Sequence, residues 1–489
     1  MQRKTSHRWH LAILLIAGLL SVQNDASLVD PVYFTGNKIF HARTGNEFRI
    51  KGMAYQPTPN AGNLSKVTGH DFVTDDNEPV WSAHLKAMID IGVNTIRLYS
   101  VDPSKSHDKF MCACSKAGIY VLIGMSAPCA GCAISTKPAP DCYGPRLLER
   151  AQMIYNAFAV YNNVLGFSVG NENNLEKGSV KSAPCVKAFI RDVRNYADSC
   201  SGSLRVVPIG LDQADILPRS LWLSYYDCIV DNNAYTRAEW QGLNPYAHCD
   251  MKVTDFKEAK GLLVLVKDFN SIGLGNPLIM GEFGCLPDDN TVDGWEAVRN
   301  FRDAKWINTE KPLTDNVVGG CVFEFSTELK NRVDKKLAMT RDPGDYGIYQ
   351  FTPSTCDNVI QKCMLKEKGP EVNNLKEAYT TTPDSTINNN TWKPIRTKAL
   401  ECPKSISIDL PPKPDVKDMK CSTRQPSCDG QKHNAFKKKD KHVKMGDKLD
   451  PSKTLDTNVE ISSLSSGNKA GLSTISMLLS VAILVFILE

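Results

Sequence analysis

Short apolar runs bounded by Gly or Pro recur along this chain and alternate with longer amphipathic stretches. The runs at 48–55, 95–100, 120–125, 164–170, 205–210, 228–235, 277–283 and 320–325 have the length and side-chain content of buried strands. Between them, residues 81–91, 109–117, 145–160 and 184–199 carry apolar positions at helical spacing, and Gly92 stands as a stop after Leu85, Met88 and Ile89. Eight strands alternating with helices in this rhythm predict an α/β fold, a (β/α)8 barrel. A doubly wound open sheet is the competing architecture, but no Gly-rich phosphate loop opens the chain.

Two of the runs end on an acid. Residues 277–283 deliver Glu282, and residues 164–170 are followed by Asn171 and Glu172. An unpaired charge inside a covered strand is costly, so both carboxylates are expected at the open C-terminal mouth, after strands four and seven.

Composition then sets the compartment. At 489 residues the chain is long enough for a barrel plus appendages, and its net charge of +4 gives no reason to expect nucleic acid as a partner. Arg3, Lys4, His7 and Arg8 precede an apolar core over 11–20, the form of a signal peptide, so residues 1–27 are read as a cleaved leader. The apolar end at 477–488 has small residues and a spacer upstream and no basic flank. It reads as a glycosylphosphatidylinositol (GPI) attachment signal, with Asn468 as the preferred acceptor and Ser465, Ser466 or Gly467 as alternatives. A C-terminal transmembrane anchor is the competing reading. Sixteen cysteines in a secreted chain imply disulfides more readily than a metal site, the CxC at 112–114 and the CxxC at 129–132 included. Sequons at Asn63 and Asn389 fit the same route.

From 368 onward Asn, Thr, Pro and Lys replace the apolar periodicity. The expected layout is a catalytic domain over 28–367, a barrel-associated extension over 368–405, a disordered Lys/Ser/Pro-rich stalk over 406–468 and an attachment propeptide over 469–489.

Retaining cleavage of a glycoside needs an acid to protonate the departing oxygen and a carboxylate to attack the anomeric carbon, about 5 to 5.5 Å apart. Glu172 suits the acid/base and Glu282 the nucleophile. Asn171 is placed to bond a sugar 2-hydroxyl, and Tyr235, at the end of the expected sixth strand, to orient Glu282. Tyr99, Tyr143, Trp240 and Tyr246 are candidates for stacking on sugar rings, with ordinary packing as the alternative.

At these positions the chain resembles a known family. Phe48-Arg49-Ile50-Lys51-Gly52-Met53-Ala54-Tyr55-Gln56-Pro57, Asn94-Thr95-Ile96-Arg97-Leu98-Tyr99-Ser100-Val101-Asp102-Pro103, the run from Asn162 to Glu172, Gly281-Glu282-Phe283-Gly284-Cys285 and the run from Gly319 to Phe325 are similar to the fungal β-1,3-glucanosyltransferases of glycoside hydrolase family 72. The resemblance implies a GPI-anchored enzyme at the outer face of the plasma membrane or in the wall, with β-1,3-glucan as donor and acceptor and neither cofactor nor metal. It makes Glu172 the acid/base and Glu282 the nucleophile, and sets Gln56, Asn171 and Tyr235 along the donor site, where Tyr99 is also read as substrate-binding. It also suggests disulfides Cys228–Cys402 and Cys249–Cys285, and a form lacking the family's cysteine-rich glucan-binding module.

The departures surround the groove. Phe323 and Phe325 stand where the family usually has Tyr, Leu211-Asp212 replaces its Tyr-Ser, the 126–135 loop carries extra cysteines, and a cysteine expected near Trp81 is missing, which leaves the partner of Cys112 or Cys114 open. Two other readings therefore stand beside transfer: an endo-β-1,3-glucanase that uses water as acceptor, and a wall protein that binds glucan with little turnover.

Overall fold

A computed structural model of the chain describes residues 28–66, 69–176, 178–285, 298–330 and 344–432. The leader, the attachment residues Ser465, Ser466, Gly467 and Asn468, and the part of the expected stalk beyond 432 lie outside these residues. Eight parallel strands close into one barrel: Ile50–Ala54, Thr95–Leu98, Tyr120–Gly124, Val164–Asn171, Ile209–Ala214, Trp240–Asn244, Leu278–Phe283 and Gly319–Val322. Closure is direct, strand eight pairing with strand one at Gly319 and Ile50.

Alternation along the strands separates two apolar clusters, as a barrel requires. Tyr120, Leu122, Leu165, Trp240, Ile279 and Cys321 belong to the smaller one, which fills the interior. Trp240 dominates it because strands four and five give way beside it: a Cβ on Gly210 would collide with the indole, and one on Gly166 would lie 3.0 Å from its Nε1. An N-terminal hairpin, Val32–Thr35 with Lys38–His41, adds Val32 and Ile39 to this cluster. The larger cluster lies between strands and helices. Helix Glu78–Ile91 contributes Trp81, Leu85 and Met88, with the Trp81 ring 5.3 Å from Phe110, and stops at Gly92, whose φ of 89° a side chain would disfavour.

Two expected strands are displaced. Strand five is not 205–210 but Ile209–Ala214, because Pro208 cannot donate to the ladder and Arg205 turns inward to the carbonyls of Tyr161 and Val164. The expected sixth strand, 228–235, is a turn with Asp231 and Asn232 at positive φ, followed by a short 3-10 helix, Ala234–Thr236. The sixth barrel strand is Trp240–Asn244.

The tail also departs from expectation. Helix Glu371–Thr380 buries Leu375 and Tyr379, and the Tyr379 hydroxyl donates to the Gly52 carbonyl at 2.7 Å. A free stalk does not begin at 406. Three disulfides, Cys228–Cys402, Cys200–Cys421 and Cys112–Cys428, strap the tail along the barrel as far as the 428 region. Cys249–Cys285, Cys142–Cys185, Cys129–Cys132 and Cys356–Cys363 complete the pairs, leaving Cys114 and Cys321 as buried thiols.

Candidate active site

Glu282 is the penultimate residue of strand seven and only 6% exposed. Three donors converge on it. Oε1 accepts from Arg97 Nη1 and from the Tyr99 hydroxyl, each at 2.8 Å, and Oε2 accepts from the Tyr246 hydroxyl at 2.7 Å. Charge-assisted bonds from three directions fix the carboxylate's rotation as well as its position. Burial, and after it the Glu282 charge, holds the Tyr246 phenol well above its ordinary range, so it stays a donor.

Glu172 directly follows strand four, with φ at 54°, and its N–H donates to the Asp212 carbonyl at 3.0 Å. Asn244, the last residue of strand six, donates from Nδ2 to Glu172 Oε1 at 2.8 Å. Burial first, and then the neighbouring Glu282 charge, raises the Glu172 carboxyl above the usual range. That is the direction a general acid needs. Asn171 lies between the two acids: its Oδ1 accepts from Arg97 Nη2 at 2.7 Å and from Asn244 Nδ2 at 3.3 Å. Arg97 thus binds the nucleophile candidate with one nitrogen and the Asn171 carbonyl with the other. On its far side it forms an ion pair with the buried Asp212 at 3.2 Å.

Among the residues expected at the site, Glu172, Glu282, Asn171 and Tyr99 meet in this one network. Tyr235 does not. Because the true sixth strand starts five residues after it, Tyr235 sits against helix Ser179–Ser199, its hydroxyl donating to Asp198 at 2.9 Å and its ring under Arg194. The tyrosine that orients Glu282 is Tyr246, which the sequence offers only as a stacking candidate. Gln56 points its amide to the His70 carbonyl at 3.1 Å and bonds neither acid. Trp240 and Tyr143 are core residues. Phe325 is buried against Tyr55, whereas Phe323 meets the edges of Tyr246 and Tyr346. Asn63 is exposed and Asn389 half-buried.

Nothing in the sequence marks Arg97 or Asn244 as site residues by pattern alone, and Asp212 enters only as a departure beside the groove. Arg97 carries a chemical signal instead, since a lone arginine within an apolar strand needs a buried acid as partner. The disulfide Cys249–Cys285 joins the loops that follow Tyr246 and Glu282, tying two parts of the site together.

A family model described as glucanosyltransferase, glycoside hydrolase family 72, matches residues 21–336. The chain belongs to this family. The 1,3-beta-glucanosyltransferase GAS5 of Saccharomyces cerevisiae is 30% identical over 322 residues, covering 65% of this chain and 61% of the yeast protein. The match therefore spans less than two thirds of that relative. The 1,3-beta-glucanosyltransferase gel2 of Aspergillus fumigatus is 27% identical over 412 residues, covering 82% of this chain and 77% of its own. A solved structure of a Saccharomyces cerevisiae Gas2p mutant in complex with laminaritetraose and laminaripentaose shares the fold with a TM-score of 0.62 at 25% identity, covering 79% of this chain and 75% of that one.

Proposed function

We propose that the chain is a retaining β-1,3-glucanosyltransferase. The observation that carries the reading is the continuous network from Glu172 through Asn244, Asn171 and Arg97 to Glu282 at the barrel mouth. Glu172 gives its proton to the departing glycosidic oxygen while Glu282 forms a bond to the anomeric carbon from the opposite face. The fragment on the reducing side leaves. Glu172, now a carboxylate, takes the proton from an acceptor glucan hydroxyl, which attacks the same carbon and frees Glu282, so two inversions retain the β configuration. Asn171, whose Oδ1 is taken by Arg97 and Asn244, would offer its Nδ2 to the sugar 2-hydroxyl. Relatives named as 1,3-beta-glucanosyltransferases, and the Gas2p complexes with laminari-oligosaccharides, support β-1,3-glucan as both donor and acceptor.

The signal-like N-terminus and seven disulfides among the described residues support a secretory route. No helix among the described residues is long and apolar enough to cross a membrane. A GPI lipid at Asn468, or at Ser465, Ser466 or Gly467, would hold the enzyme on the outer face of the plasma membrane, and Asn63 and Asn389 would carry N-linked glycans.

The test is to incubate the secreted protein with a reduced β-1,3-gluco-oligosaccharide of defined length and follow product sizes. Products longer than the input are expected. Only shorter products would make it an endo-glucanase, and an unchanged size with the sugar still bound would make it a glucan-binding protein.

A further inference from the structure

Strand five brings the network one more acid than the reaction consumes. Asp212 is 1% exposed and pairs in register with Asn171. Its backbone carbonyl holds the Glu172 N–H. Its Oδ2 accepts the Ser168 hydroxyl at 2.7 Å and lies 3.2 Å from Arg97 Nη2, while its Oδ1 is buried without a hydrogen-bond partner. Room for that oxygen is cut from the two neighbouring strands. A Cβ on Gly281 would stand 2.5 Å from it, and one on Gly242 would be closer still.

Burial raises the Asp212 carboxyl above its usual range while the Arg97 charge and the Ser168 hydroxyl oppose that push, so its ionised form depends on a counter-ion that is shared. Arg97 faces Glu282 on one side and Asp212 on the other, with Glu172 beyond Asn171. The remaining titratable groups around them, Tyr99, Tyr246, the Glu324 carboxyl and the Cys321 thiol, are kept neutral by burial. With Glu172 protonated, one cation therefore meets two anions, and the pocket keeps a net negative charge. A neutral residue at 212 would match Arg97 to Glu282 alone and leave its attraction for a deprotonated Glu172 uncancelled.

We propose that Asp212 is a positioning residue for the transfer reaction, locking the Arg97 guanidinium between the working carboxylates and adding the negative charge that keeps Glu172 in its acid form. The inference rests on the reading of Glu172 as the acid, and its test separates the two. Asp212→Asn keeps the shape and Asp212→Ser supplies a small neutral side chain; both are compared with the unaltered protein after circular dichroism has shown them folded. The Glu172 titration is followed directly by carboxyl carbon NMR, assigned with Glu172→Gln, alongside the pH profile of transfer.

Both variants are expected to lower the Glu172 midpoint by about one pH unit, and the alkaline limb of the rate should move with it. Above that midpoint the variants should be about tenfold slower, with KM for the donor changed less than about threefold. An unmoved midpoint in the folded variants overturns the proposal whatever the rates. A moved midpoint in a protein that neither transfers nor hydrolyses overturns the functional reading and leaves the electrostatic role of Asp212 standing. Loss of folding in both variants would assign Asp212 to the fold and overturn its positioning role.

Discussion

Replacing Tyr246 by Phe removes one hydroxyl and nothing else from the wall of the site, and the structure sets the size of the effect. That hydroxyl is the donor on Glu282 Oε2, at 2.7 Å, whereas Oε1 keeps Arg97 and Tyr99. When the covalent intermediate breaks down, Glu282 leaves as a carboxylate, and the missing donor then counts against the transition state. A hydrogen bond to a charged group contributes about 1.5 to 3 kcal/mol, so turnover should fall about tenfold to a hundredfold. Folding should be nearly unaffected, because the ring still packs against Phe323 and Tyr346. Tyr235→Phe is the matched control, since its hydroxyl bonds Asp198 of helix Ser179–Ser199 and no residue of the network between Glu172 and Glu282. Initial rates on a β-1,3-gluco-oligosaccharide, with melting temperatures for both variants, make the assay. The reasoning is refuted if Tyr246→Phe keeps its rate, or if Tyr235→Phe loses as much without losing stability.

Glu172 has its carboxyl raised by burial and by Glu282, so the acid form is present below that raised pKa and is lost as pH rises through it. Activity should therefore fall on an alkaline limb above the usual glutamate value of about 4.3, and Glu172→Gln, assayed on a donor with a good leaving group, should lose the limb. Asp303 is buried and its carboxyl is pushed up to about 7, so the folded state holds a proton that the unfolded chain has already released. Stability should decline from about pH 4 through pH 7, and Asp303→Asn should flatten the decline and gain a few kcal/mol at about pH 8 in urea unfolding. Cys228–Cys402 spans 174 residues, but Cys200–Cys421 joins the same stretches and shortens the effective loop. Cys402→Ser should consequently cost about 3 to 4 kcal/mol in the loop-entropy account, read as a lowered denaturant midpoint with the rate per folded molecule unchanged.

The strands that could be read from sequence are those whose whole run is apolar on both faces, such as Leu278–Phe283 with its single terminal acid. Strands five and six escaped because their buried positions include Asp212, Gln213, Gln241 and Asn244, whose polarity is absorbed by neighbours that no local pattern reveals. Gln213 Nε2 donates to Gln241 Oε1 across the two strands at 2.8 Å, and Asp212 meets Arg97 from strand two. Ile229 and Val230 offered a false strand in their place. That one displacement moved the expected orienting tyrosine from 246 to 235. The tail is hidden from sequence for a related reason: its composition is that of a tether, and only its cysteines say otherwise. Cys421 and Cys428 find their partners at Cys200 and Cys112, hundreds of residues earlier, so the strap is a property of the fold rather than of the segment. The two working carboxylates were legible because burial cost alone argues that an acid ending a covered strand belongs at its open end.

The most direct measurement assigns the two acids by chemistry rather than by loss. Glu172→Ala and Glu282→Ala are each given an activated β-1,3-glucosyl donor with sodium azide, and the anomer of the glycosyl azide is determined by NMR. If Glu282 is the nucleophile, Glu172→Ala still forms the covalent intermediate and yields the β-azide, whereas in Glu282→Ala azide takes the nucleophile's place and yields the α-azide. The opposite pattern would reverse the roles, and azide products identical in anomer and rate to those of the unaltered protein would remove this pair from the reaction.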